Sequence, residues 1–124
     1  MLSTGTKNSV EKIVNDSDTA AALGSGLLKV FSTPSMIALM ENCCHLSIKS
    51  QLENFEDSVG IEINIRHLKA TAIGKKIIAN SELTEINGKI ATFNVKVFEN
   101  EFLIGDGIHK RAIINIEKFL SKLN

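Results

Sequence analysis

Two hydrophobic rhythms divide this chain. From Thr33 to about Leu52, the apolar residues Met36, Ile37, Ala38, Leu39, Met40, Cys43 and Cys44 crowd every side of a helical wheel. That is the pattern of a helix covered all round. From Val59 onward the period drops to two. Ile61, Ile63 and Ile65 alternate with Glu62, Asn64 and Arg66, which predicts a strand with one buried face over Val59–Lys69. Past the turn signal at Gly74, a second strand is predicted over Lys75–Glu85, with Ile77, Ala79, Ser81 and Leu83 on one face. Asn87-Gly88 tolerates positive φ at both residues and predicts a hairpin. It leads into Ile90–Phe98, where Phe93, Val95 and Val97 alternate with Asn94 and Lys96. Asn100-Glu101 makes the next turn. Phe102–Ile116 is the last strand, interrupted by Gly105 and Gly107, and Glu117–Leu123 is a short helical tail. Ahead of the helix, Ser9–Val14 reads as a short first strand, Asp18–Gly26 as a turn or short helix and Leu27–Phe31 as an apolar link.

One long helix followed by an antiparallel meander gives an α+β fold in which a curved sheet wraps the helix. Thr33-Pro34 marks the helix start: threonine suits the N-cap and proline the first helical position. Within the helix, Glu41 is the anomaly, because a charged glutamate is almost never fully buried without a partner. His67 continues the odd-numbered, apolar face of the Val59–Lys69 strand. If that face packs on the helix, His67 approaches Glu41, and Thr33, Glu41 and His67 form a hydroxyl–carboxylate–imidazole cluster. Such a set offers a base or nucleophile and a proton carrier that titrates near neutrality.

Composition narrows the possibilities. The 124 residues suit a single domain, 1–124, large enough for a real core. Fourteen basic and fourteen acidic residues leave no formal net charge, which argues against a nucleic-acid partner. The first dozen residues lack the apolar run of a secretory signal, and no stretch has the roughly 18 apolar residues that span a bilayer. A cytoplasmic location without membrane attachment is expected. The adjacent Cys43 and Cys44 do not make a disulfide framework and read as small buried hydrophobes in a reducing compartment. His45 follows Glu41 by four residues, but a metal site would need a third ligand, so no metal is expected. Gly105 to Arg111, G-D-G-I-H-K-R, lacks the Lys-Ser/Thr end of a phosphate loop and reads as a β-bulge.

Four segments in order resemble the hotdog-fold acyl-CoA thioesterases, in particular the fluoroacetyl-CoA thioesterase-like group. They are D-T-A-A-A-L-G-S-G (Asp18–Gly26), T-P-S-M-I-A-L-M-E (Thr33–Glu41), V-G-I-E-I-N-I-R-H (Val59–His67) and I-G-D-G-I-H-K-R (Ile104–Arg111). The family's Thr, Glu and His fall on Thr33, Glu41 and His67. The resemblance implies a hotdog fold and hydrolysis of a short or medium acyl-CoA, with coenzyme A as part of the substrate and no separate cofactor. It implies a homodimer, or a dimer of dimers, with sheets paired edge to edge and active sites near the interface. It sets Gly60 beside the acyl group, where the missing side chain makes room. In the G-D-G-I-H-K-R segment, His109, Lys110 and Arg111 are expected to face the coenzyme's phosphates. One departure bears on substrate. Where the fluoroacetyl-CoA enzyme has phenylalanines forming a lid, this chain has Gly24, Leu27 and Leu28, and only Phe31 remains close by to contact the acyl group. The competing function on the same fold is a non-catalytic acyl-CoA or small-ligand binding protein.

Overall fold

The computed structural model describes residues 1–123. Five strands form one antiparallel sheet: β1 (Lys7–Ile13), β2 (Glu56–His67), β3 (Lys76–Asn87), β4 (Ile90–Glu99) and β5 (Phe102–Asn115). Their spatial order is β1-β3-β4-β5-β2. The β3–β4 hairpin turns through Gly88-Lys89, with Gly88 at φ 60°; Asn87, expected in the turn, instead pairs with Ile90 as the last rung of β3. The α1 turn (Ala20–Leu23) follows a short 3-10 turn at Asp16–Asp18. The long helix α2 (Thr33–Lys49) crosses the concave face of the sheet, and α3 (Ile116–Ser121) ends the described chain. This is the hotdog arrangement.

Period-two patterning decides what α2 meets. Ile77, Ala79 and Leu83 of β3, Phe93, Val95 and Val97 of β4, and Ile104 of β5 are buried against Met36, Met40, Cys43, Cys44 and Ile48 of the helix. Asn8 Nδ2 donates to the Cys43 carbonyl across 3.1 Å, tying β1 to the helix. The sheet covers only one side of α2. Ala38, Asn42 and Leu46 lie exposed on the other, with Leu46 at 45%, so the helix is not covered all round within one chain. Its start also differs from expectation. Ser32, not Thr33, is the N-cap: its hydroxyl accepts from the Ser35 N–H at 3.1 Å, and Pro34 falls one place further into the first turn. Capping by Ser32 releases the Thr33 hydroxyl for another partner.

β2 pairs with β5 on one side only, and its other edge is open along the whole strand. Its register slips between Gly60 and Glu62, where Ile61 bulges out, 52% exposed. The slip re-aims the strand, as bulges do. Packing in the middle of the sheet rests on Phe93, which is wholly buried. Phe93→Ala should lower the unfolding free energy by about 3–5 kcal/mol in urea titrations, and a loss below about 1 kcal/mol would contradict this packing.

Candidate active site

The first turn of α2 and the last residue of β2 meet at one end of the sheet. There Thr33 Oγ1 lies 2.9 Å from His67 Nδ1. With its proton on Nε2, the ring accepts from the threonine hydroxyl. His67 Nε2 is enclosed by the chain and has no hydrogen-bond partner among the described residues. Phe31 is buried and holds the ring edge-on, with centroids 6.3 Å apart. Burial pushes the His67 pKa down, opposed by a backbone contact at Lys69, so the ring stays neutral where an ordinary histidine begins to charge. A cavity of about 380 Å³ opens onto this pair, lined by Phe31, Thr33, Pro34, His67, Leu68 and Lys69 among others.

Glu41 stands elsewhere. It lies eight positions along the helix from Thr33, about 12 Å along the axis. β2 runs back past α2, so Gly60, not His67, is the residue beside the carboxylate. A Cβ built on Gly60 would overlap Glu41 Oε2 and come within 3.2 Å of His109 Cε1. Glu41 Oε2 lies 3.8 Å from His109 Nε2 and 3.9 Å from Arg111 Nη1, with the carboxylate side chain 40% exposed. Within one chain the structure therefore yields two clusters, Thr33 with His67 and Glu41 with Gly60, His109 and Arg111. It does not yield the single three-residue set expected from the spacing.

His109 and Arg111 point inward, where phosphates of a coenzyme do not reach them. They share a face of β5 with buried Ile113, and their side chains are 1% and 8% exposed. Every nitrogen of the guanidinium is engaged. Arg111 Nε donates to Ser58 Oγ at 2.8 Å, Nη2 to the Ser58 carbonyl at 2.9 Å, and Nη1 to His109 Nε2 at 3.1 Å. His109 Nδ1–H donates to the Glu62 carbonyl at 2.8 Å. That bond fixes the tautomer that can accept from arginine. Burial, then the adjacent guanidinium, lower the His109 pKa against the pull of the Glu62 carbonyl and Glu41. The ring is thus a neutral acceptor linking β2 to Arg111. Ser58 is the part of this network that residue type alone did not disclose. Its only signal was position, two residues before Gly60 on the same strand face.

The second cluster borders its own cavity of about 390 Å³, lined by Ala38, Glu41, Asn42, His45, Ser58 and Arg111. A larger hollow, about 700 Å³, lies over Lys7, Asn80, Glu82, Asn94 and Lys96. It carries neither imidazole nor thiol, and its size does not make it the reactive site. The cysteines are free, buried and poor nucleophiles: burial, then the neighbouring Cys43, push Cys44 up to about 12, and burial also raises Cys43. His45 faces Asp57 at 3.6 Å, and no group of three or more metal-ligating side chains occurs among the described residues.

A hotdog-like protein of Thermanaerovibrio acidaminovorans superimposes with a TM-score of 0.90 over 97% of this chain and 89% of its own at 18% identity, which establishes the fold class. The profile of the fluoroacetyl-CoA-specific thioesterase family matches residues 14–117. The fluoroacetyl-CoA thioesterase of Streptantibioticus cattleyicolor is 35% identical over 95 residues, 77% of this chain and 68% of that protein. A variant of the fluoroacetyl-CoA-specific thioesterase crystallised with fluoroacetate and CoA has a TM-score of 0.90 at 29% identity, covering 95% of this chain and 99% of that one. The chain belongs to the fluoroacetyl-CoA-specific thioesterase family.

Two imidazoles held neutral by burial make a pH prediction. Both folded-state pKa values lie below the ordinary 6.5. The unfolded chain therefore binds more protons as the pH falls through that value, and stability drops with it. The melting temperature should fall between about pH 7 and about pH 5.5, and less steeply in His67→Asn. A melting temperature that held constant or rose over that range would contradict the neutral assignment.

Proposed function

We propose that this protein hydrolyses a short or medium acyl-CoA thioester to the free acid and CoA, at a site completed by two copies of the chain. The observation that carries this reading is the Thr33–His67 contact of 2.9 Å beside an open cavity. A hydroxyl next to a neutral imidazole is an activated nucleophile. The supporting context is membership of a thioesterase family and the CoA complex of a relative with the same fold.

The geometry supports a specific division of labour. Thr33 is exposed and His67 lies behind it, so the imidazole reaches a substrate through the hydroxyl. His67 takes the Thr33 proton as the oxygen attacks the thioester carbonyl. The C–S bond breaks, and the thiolate leaves with the proton from His67. The resulting threonine ester is cleaved by water, with Glu41 as the base. Arg111, fixed by Ser58 and His109, stands 3.9 Å from the Glu41 carboxylate, and Gly60 leaves room where any side chain would strike that carboxylate. No separate cofactor takes part. The departure at Gly24, Leu27 and Leu28 points away from fluoroacetyl as the preferred acyl group. Leu27 and Leu28 are 94% and 68% exposed.

The second copy enters through the open edge of β2. A long unpaired edge invites pairing, and an antiparallel pair of identical strands is closed by a two-fold axis. Centred on Asn64, with the bulged Ile61 taking no partner, such a pair sets His67 of one protomer opposite Gly60 of its partner. The Thr33–His67 cluster then faces the partner's Glu41, and Ile61 is covered. We place the enzyme in the cytoplasm, a setting that suits two free cysteines. No helix of the described residues is long and apolar enough to cross a membrane.

Thiol release across an acyl-CoA panel tests the activity. Binding without release throughout would reassign the protein to the non-catalytic class. Glu41→Gln should lower turnover at least about a hundredfold with the fold retained. If the mechanism is right, that variant accumulates an acyl adduct on Thr33, visible by mass spectrometry. An adduct on no residue, with turnover near native, would reduce Glu41 to a structural role. Sedimentation at micromolar concentration should give a dimer, and a mass of one 13.5 kDa chain would remove the second copy from the account.

A further inference from the structure

With His109 and Arg111 buried behind Glu41, no residue yet described is placed to hold the phosphates of the coenzyme. Among the described residues lining the two cavities, Lys69 is the one exposed lysine or arginine. It lies two residues past His67 and lines the same cavity as Thr33. Hydrogen bonds from the Leu68 and Lys69 N–H groups to the Ile104 carbonyl, at 2.7 and 3.3 Å, fix its backbone. Its ammonium is also fixed: Nζ sits 3.7 Å above the ring of Phe102, beyond the last rung of the β2–β5 ladder. Phe102 is 49% exposed. Glu101 precedes it in the chain, yet no carboxylate of the described residues pairs with Lys69 within 4.0 Å. The charge is therefore ordered but not neutralised. In the proposed pairing the partner's Gly60 closes the reacting centre from across the β2 edge, so the coenzyme arm leaves on the opposite side, through the cavity that Lys69 borders.

Resting on the thioesterase reading, we infer that Lys69 and Phe102 form the docking subsite for the nucleotide end of coenzyme A, with the Lys69 ammonium on a phosphate and the exposed Phe102 face under the adenine. An exposed aromatic ring accepts a nucleobase by stacking on one face, and the lysine ammonium over its other face supplies the point charge a phosphate needs. This assigns to the strand end of the molecule the recognition that the G-D-G-I-H-K-R segment does not provide.

The experiment measures CoA, dephospho-CoA and pantetheine binding by calorimetry, and hydrolysis of acyl-CoA against the matching acyl-pantetheine. Lys69→Ala should weaken CoA about tenfold, and Lys69→Glu more, while pantetheine binding is unchanged. On acyl-CoA the loss should fall on KM with kcat retained, and on acyl-pantetheine there should be no loss. Phe102→Leu, which keeps an apolar side chain, should weaken CoA and dephospho-CoA alike. Equal affinity of native and Lys69→Glu protein for CoA would overturn the subsite. So would equal losses on CoA and pantetheine, which would mark a general disturbance of the cavity. Because binding is read directly, an absence of hydrolysis by the native protein would refute the thioesterase reading while the calorimetry still decides on Lys69.

Discussion

Glu41 follows Thr33 by eight positions along α2, and that spacing constrains the whole site. At a rise of about 1.5 Å per residue, two side chains on one helix so spaced do not touch. The return path of β2 then fixes which partner each one receives. Thr33 meets the strand's last residue, His67, and Glu41 meets Gly60. Neither half has all the parts of a thioester hydrolase. The open β2 edge lies between them, and pairing two such edges about a two-fold axis brings unlike halves together. Under the proposed pairing, the open outer edge of the 12-residue β2 is where the two halves meet.

The Glu41 half shows how a guanidinium is kept beside a carboxylate. Burying a guanidinium is costly unless its donors are met. Here Ser58 meets two of its nitrogens and His109 a third. His109 can do so because the Glu62 carbonyl holds its other nitrogen in the donor state. The bulge after Gly60 belongs to the same arrangement, since it shifts the register just where Glu62 must reach His109. The packing core and the polar site are thus one construction: inward positions of β4 and β5 hold Phe93, Val95 and Ile113 along most of their length, and His109 and Arg111 where Glu41 passes.

Much of this was legible in the chain. Alternation located the strands to within a few residues, Asn87-Gly88 identified its hairpin, and the apolar wheel identified α2. The wheel also misled, because Ala38 and Leu46 count as apolar but face outward in one chain. Thr33-Pro34 looked like a cap because threonine and proline favour those places. Ser32 took the cap instead, and only local backbone geometry distinguishes the two. The orientation of His109 and Arg111 was available from period two, counting back from Ile113, but their charge suggested solvent. Ser58 had no chemical signature, since its role depends on the strand that happens to lie beside it. Glu41 was read as needing a partner and His67 as that partner, but one-dimensional spacing does not say that His109 and Arg111 stand beside the carboxylate in the same chain.

The composite site is tested most directly by mixing defects. Chains carrying Glu41→Gln and chains carrying His67→Asn are produced together in equal amount, so that half of the dimers contain one of each. A site drawing Glu41 from one protomer and His67 from the other is intact once in every mixed dimer. The account predicts that two nearly inactive variants recover about a quarter of native turnover when combined. If each protomer carries its own complete site, every site in the mixture has one defect, and activity no higher than that of the separate variants would contradict the account.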